Sequence, residues 1–142
     1  MSVLPDPASE SGARARARLG TEEVIWLTVV SPSGTPQPNP VWFLFEPETE
    51  SLLIYNDNQA RRLAYVDAHP RVAAHFNSDV QGDDFVVFTG RLEHAPDAPA
   101  PAENEAYVEK YAAPIARIGF DTASFAERYS VPMRLHIDKV RA

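Results

Sequence analysis

Three prolines at alternate positions constrain this chain more than any other feature. In the stretch Thr35-Pro36-Gln37-Pro38-Asn39-Pro40-Val41-Trp42-Phe43-Leu44-Phe45, Pro36, Pro38 and Pro40 lead directly into three large aromatics. A proline has no ladder donor and a fixed φ, so the run fits an extended edge strand and cannot be paired on both sides. From Val41 to Phe45 the pattern reads as one strand, with Val41, Phe43 and Phe45 on one face and Trp42 and Leu44 on the other. Both faces are apolar and both need a cover. One cover is the protein's own core. The other is a partner subunit, or a flat ligand lying against the edge that the prolines leave unpaired.

The flanking sequence supplies the rest of a sheet. Val24 to Val30 is a dense β-branched and aromatic strand, and the turn Ser31-Pro32-Ser33-Gly34 returns it into the proline stretch as an antiparallel hairpin. After a turn at Glu46 to Glu50, Ser51 to Tyr55 reads as a third strand. Asn58 then caps a helix in which Ala60, Leu63, Ala64 and Asp67 recur before His69-Pro70 stops it. Arg71 to Asn77 and Asp84 to His94 read as two more strands around a polar turn, followed by a proline-rich connector from Ala95 to Pro101. Tyr107, Tyr111, Ile115 and Ile118 keep helical spacing across Pro114, which predicts two short helices ending at Gly119. Thr122 caps another helix through Tyr129, and Val131 to Asp138 alternates as a half-buried final strand. At the N-terminus, residues 1 to 8 read as frayed. Ser9 or Ser11 caps a short helix to Gly20 whose Arg14, Arg16 and Arg18 read as a solvated face, a dedicated anion patch being the alternative. The expected architecture is a small antiparallel barrel with helices at its openings, residues 19–142, behind a tail and short helix at residues 1–18.

Composition narrows the chemistry. The chain has 142 residues and no cysteine, so disulfides and thiolate metal sites are excluded. His69, His75, His94 and His136 show no metal-ligand spacing, and no metal is expected. A net charge of −7 disfavours nucleic acid as a partner. With no apolar signal region and no long apolar run, the expectation is a cytoplasmic protein with no membrane partner. Against the net negative charge any anion site must be local, and neither GxGxxG nor a P-loop occurs in the chain. Arg61 and Arg62 stand in the first turn of the expected helix after the third strand, where cations oppose the helix dipole. They are either a phosphate or carboxylate site or a solvated pair. His75, Tyr129 and His136 have the chemistry of proton donors, with ordinary structural roles as the alternative.

The order of these pieces resembles the split β-barrel superfamily of pyridoxamine-phosphate-oxidase-like flavin binders, and within it the branch that uses the deazaflavin coenzyme F420. The resemblance covers residues 19–142. It rests on Trp26-Leu27-Thr28 with Ser33-Gly34-Thr35-Pro36-Gln37, on Pro40-Val41-Trp42-Phe43, and on Leu53 to Tyr55 with Arg61-Arg62-Leu63. It continues through His69-Pro70-Arg71-Val72, Tyr107-Val108-Glu109-Lys110-Tyr111, Gly119, Phe125, Tyr129-Ser130 and Arg134. It implies a mainly β Greek-key antiparallel split barrel of the FMN-binding type, with helices, assembled as a homodimer with cofactors at the interface. It also implies hydride transfer between reduced F420 and an unsaturated or quinone-like small molecule. The ring would lie along Gln37, Asn39, Pro40, Val41 and Trp42, bordered by His75 and Asn77. Arg62 and Arg61, with Asn58 in the turn ahead of them, would hold the phosphate, while Tyr129, Ser130 and Arg134 would approach from the partner subunit. Tyr65 departs from the Asn common in relatives, and Asn56 and Asn58 from a more usual Ser and Pro. Two other functions stay open. Arg134-Leu135-His136 is similar to the substrate-phosphate piece of FMN-dependent pyridoxamine-phosphate oxidases, although the Trp expected upstream is missing. A non-enzymatic carrier of flavin, deazaflavin or haem is the other.

Overall fold

The computed structural model describes residues 2–142. The helices are α1 (Glu10–Thr21), α2 (Arg62–Ala68), α3 (Glu105–Arg117) and α4 (Thr122–Arg128). The strands are β1 (Val24–Val30), β2 (Pro36–Trp42), β3 (Leu44–Glu46), β4 (Ser51–Asn56), β5 (Arg71–His75), β6 (Val87–His94) and β7 (Val131–Arg141). They form one seven-stranded sheet in the order β2-β1-β5-β6-β7-β4-β3, antiparallel throughout.

The prolines sit where their chemistry requires. β2 is an edge strand, paired with β1 in the register Ile25↔Val41, Leu27↔Asn39, Val29↔Gln37. Pro36, Pro38 and Pro40 share one parity along the strand, so their missing donors fall on the free edge while Gln37, Asn39 and Val41 face β1.

The expected single strand from Val41 to Phe45 is divided in the structure. β2 ends at Trp42 on one edge of the sheet, and β3 begins at Leu44 beside β4 on the other edge. Phe43 alone spans the gap, so the sheet curls until its two edges nearly meet, a half-barrel split at that residue. Leaving the ladder strips Phe43 of strand partners, and α3 replaces them. The Phe43 N–H donates to Tyr111 Oη at 2.9 Å, and the Phe43 carbonyl accepts from Lys110 Nζ at 2.9 Å and lies 2.8 Å from Tyr111 Oη. The ammonium also sits 3.8 Å from the centre of the Phe43 ring. Two adjacent helical residues thus satisfy a buried backbone that a continuous sheet would have satisfied itself.

Apolar burial falls into two clusters on either side of β4. Leu52 and Ile54 point into the barrel with Ile25, Leu27, Phe43 and Phe88. Leu53 and Tyr55 point outward, under Tyr107, Tyr111, Ile115 and Phe125 of α3 and α4. β4 is therefore buried on both faces, and the outer cluster is what carries the helices.

Several local expectations change. The N-terminal segment is anchored: Leu4 is only 5% exposed, Glu50 accepts the Val3 N–H at 3.0 Å, and Arg16 donates to the Pro5 carbonyl at 3.0 Å. Arg14 and Arg18 are tethers rather than a solvated face. Arg14 pairs with Asp84 at 2.7 Å. Arg18 pairs with Glu22, donates to the Asn77 and Asp84 carbonyls at 2.9 Å and lies over the Phe76 ring. Pro114 lies inside one continuous helix, because it comes in the last turn, where its missing N–H removes a single bond and its ring is buried. Asp121, not Thr122, caps α4, in a capping box with Ser124.

Candidate functional site

Where β2 ends, α3 and α4 lean against its outer face and leave a cleft of about 300 Å³. Its wall is aromatic. The Trp42 ring stacks on Tyr111 at 4.8 Å and on Phe125 at 5.6 Å, and Phe125 stacks on Tyr129 at 4.5 Å. Behind them Tyr107 meets Tyr55 edge-on at 4.7 Å. Pro40, Val24 and Ile118 form an apolar lip, with Val24 42% and Ile118 46% exposed. Burial pushes the Tyr55, Tyr107 and Tyr111 phenols above their ordinary range, so all three remain protonated.

One cation reaches this cleft. α2 starts later than the sequence implies: Asn58 does not cap it, and Arg61 stands at the cap position without a capping bond. The Asp57 carboxylate instead holds the turn through the Gln59 N–H at 2.9 Å, and the Asn58 N–H donates to the Arg128 carbonyl at 3.1 Å. This delay swings Arg62 back toward the end of β4. Its Nε donates to Asn56 Oδ1 at 2.6 Å, and its terminal amino groups have no partner among the described residues. Asn56 is fully buried, with Nδ2 donating to the Val131 carbonyl at 2.9 Å and the Ile54 carbonyl at 3.2 Å. Those two bonds fix the amide's orientation, since the flipped amide would set oxygen against oxygen and nitrogen against nitrogen. The guanidinium is thus locked at one end and open to the cleft at the other. Desolvation by burial lowers its pKa while Asp57 and Tyr129 raise it, and a guanidinium so placed stays a cation.

Comparison with known proteins places this architecture. Residues 12–142 match the sequence family described as "Pyridoxamine 5'-phosphate oxidase". The chain belongs to that family. Among solved structures this family member is similar to an F420 reductase, with a TM-score of 0.66, 23% identity, and coverage of 89% of this chain and 94% of that one. It is also similar to an FAD-binding protein from Mesorhizobium loti (TM-score 0.63, 19% identity, 90% of each chain covered). A heme storage protein from Vibrio cholerae shares the fold at a TM-score of 0.59 and 14% identity, with 92% of each chain covered. These identities establish a shared fold. No curated protein matches the sequence.

Within one chain of this family member, the expected site residues divide. Pro40, Val41, Trp42, Arg62 and Tyr129 line the cleft together. Arg61 lies beside them at the helix cap, exposed and without an ion pair among the described residues. Gln37 and Asn39 are exposed on the β2 edge. His75 pairs across the sheet with Trp26, its Nδ1 lying 3.1 Å from the Phe76 carbonyl, and Asn77 serves Arg18 through its own carbonyl. Ser130 is exposed between α4 and β7, and Asn58 is exposed in the turn. Arg134 lies outside the cleft, held by Glu46 at 2.7 Å and Asp97 at 3.1 Å. Sequence reasoning missed Val24, Tyr55, Tyr107, Ile118 and Phe125 as cleft wall. The helical spacing of Tyr107 did signal burial, but burial in a core and burial against a cleft leave the same periodicity. Among the described residues no three His, Asp or Glu side chains gather as a metal site, and no helix is long and apolar enough to cross a membrane.

Proposed function

We propose that this family member is an F420-dependent oxidoreductase that moves a hydride between the reduced deazaflavin and an unsaturated or quinone-like small molecule. The observation that carries the reading is the Arg62 guanidinium, held through Nε and left with free terminal donors at the end of an aromatic cleft. The residues present fit the cofactor's parts. A half-buried guanidinium with unpartnered donors suits a phosphodiester. The aromatic wall suits a planar ring, and a cleft of about 300 Å³ takes the ring portion while a phosphate-linked tail extends toward Arg61 and solvent. The likeness to an F420 reductase supports the same choice.

When bound, the deazaflavin supplies the hydride, and the chain's residues do the rest. Trp42 and Val41 set the plane against which the ring lies, and the outer aromatic cluster keeps that plane rigid. Arg62 fixes the phosphate end, so that ring position follows from anion position. Val24 and Ile118 give the mouth an apolar lip that favours a hydrophobic hydride acceptor. In this reading two copies of the chain assemble at this face, with Ser130 and Arg134 approaching the partner's cofactor, while Tyr129, expected there from the resemblance, lines its own chain's cleft.

A carrier without turnover is the second reading. It is favoured by the absence from the cleft of any side chain that titrates near neutrality: Arg62 and the tyrosines are its ionisable lining residues. The FMN oxidase reading is weaker, because Arg134, its substrate-phosphate residue, is already paired with two carboxylates. Mixing the purified protein with reduced F420 and menadione separates these readings. Oxidation of the deazaflavin, seen as returning absorbance, supports the enzyme; binding without oxidation across a panel of quinones and enones supports the carrier.

A further inference from the structure

Three tyrosines are buried together in the outer cluster, and their hydroxyls fare differently. Tyr55 Oη donates to the Pro99 carbonyl at 2.6 Å and accepts from Asn104 Nδ2 at 3.1 Å. Tyr111 Oη accepts from the Phe43 N–H at 2.9 Å and lies within bonding distance of the Glu23 and Phe43 carbonyls. Tyr107 is only 1% exposed and lines the cleft, its hydroxyl has no hydrogen-bond partner among the described residues, and that oxygen is not one of the fully enclosed unpaired polar atoms, so what exposure it keeps is toward the cleft. The ring packs against Tyr55, Tyr111 and Phe125, a role phenylalanine would fill equally well, so the hydroxyl is the part of this side chain that the core does not use. Its donor is left free for whatever occupies the cleft.

We propose that the Tyr107 hydroxyl is a ligand-binding group, donating a hydrogen bond to a carbonyl oxygen on the planar molecule that fills the cleft. The inference rests on the reading of the cleft as a cofactor and acceptor site. The carbonyl belongs either to the cofactor ring or to a quinone-like acceptor, which share this chemistry. Because the phenol stays protonated, it acts as donor. It shares the cleft lining with Arg62, so one ligand there would be held by an anion contact and by a neutral hydrogen bond.

The test compares wild type with Tyr107→Phe and Tyr111→Phe. Unliganded thermal stability is measured first. Tyr107→Phe is expected to melt close to the wild-type temperature, since it deletes a hydroxyl with no partner in the chain, whereas Tyr111→Phe melts lower because it strands the Phe43 N–H. F420 and FMN titrations and the KM for menadione with reduced F420 follow. A cofactor carbonyl as partner predicts Tyr107→Phe cofactor affinity weakened about three- to tenfold. An acceptor carbonyl predicts unchanged cofactor affinity and a menadione KM raised by a similar factor. A melting temperature that falls like that of Tyr111→Phe, or wild-type values for every ligand constant, overturns the inference, the second result assigning the partner to water alone. Wild-type protein that binds FMN but not F420 sinks the F420 reading instead, and the FMN constants then decide the role of Tyr107.

Discussion

Arg62 and Asn56 work as a pair, and the pair was half visible in the sequence. The two arginines stood out as cations at the expected start of a helix, but nothing in the chain order showed that Asn56, six residues earlier, would turn its amide onto one of them. That contact exists because β4 ends where α2 begins, with the amide clamped by the Val131 carbonyl of β7. Removing Arg62 should therefore act twice. Arg62→Ala is expected to weaken F420 about ten- to a hundredfold, as for a lost charged hydrogen bond. It is also expected to cost about 1–3 kcal/mol in urea denaturation by leaving Asn56 Oδ1 unpaired. Wild-type affinity in the variant would remove Arg62 from the site. A second residue, Lys110, carries a pH signature. Burial pushes its ammonium down to about 8 from an ordinary 10.5, with Glu23 opposing. Between those values the unfolded chain holds a proton that the folded chain has released, so raising the pH through this window stabilises the fold, and below it the charged form is present in both states. The buried tyrosines reverse the trend above pH 10, since their raised values keep them protonated only when folded. From pH 7 to 9 the melting temperature of wild type should rise relative to that of Lys110→Met. Parallel profiles would show that Lys110 titrates normally.

The elements follow the alternation of the sequence closely, and the exceptions have local causes. Edge placement of β2 was legible because three prolines of one parity permit pairing on one side only. The break at Phe43 was not, because Val41 to Phe45 alternates without interruption, and what divides it is a barrel that must pass the chain from one sheet edge to the other. Pro114 reads as a helix stop in sequence, yet in the last turn of α3 it costs one bond and buries its ring. Gly90 shows a constraint that no pattern reveals. It lies at a register shift between β6 and β7, and a Cβ there would sit 2.0 Å from the His136 carbonyl oxygen. That neighbour is backbone and cannot swing aside. Gly90→Ala should destabilise by about 1–3 kcal/mol or more in chemical denaturation. A neutral substitution would mean that the two strands part at this point at little cost.

At the scale of the molecule, the half-barrel and its helical cover were legible as a count of strands, turns and amphipathic segments, and the single curled antiparallel sheet bears that out. How the helices close over the β2 end was not, since it depends on the outer face of β4 being as apolar as the inner one. The exposed lip of Val24 and Ile118 and the free edge of β2 leave apolar surface beside the cleft, which motivates the expectation of a homodimer joined there. Light scattering at micromolar protein should give twice the chain mass, and a concentration-independent monomer would contradict it. The chain's net charge of −7 repels an anionic cofactor at long range, so binding must come from the local guanidinium and the aromatic wall. The most direct test is an F420 fluorescence titration of the purified wild type beside Arg62→Ala. The account predicts saturable binding, tighter than FMN, that weakens at least tenfold in a folded Arg62→Ala protein. Absence of F420 binding, or equal binding by the two proteins, would contradict it.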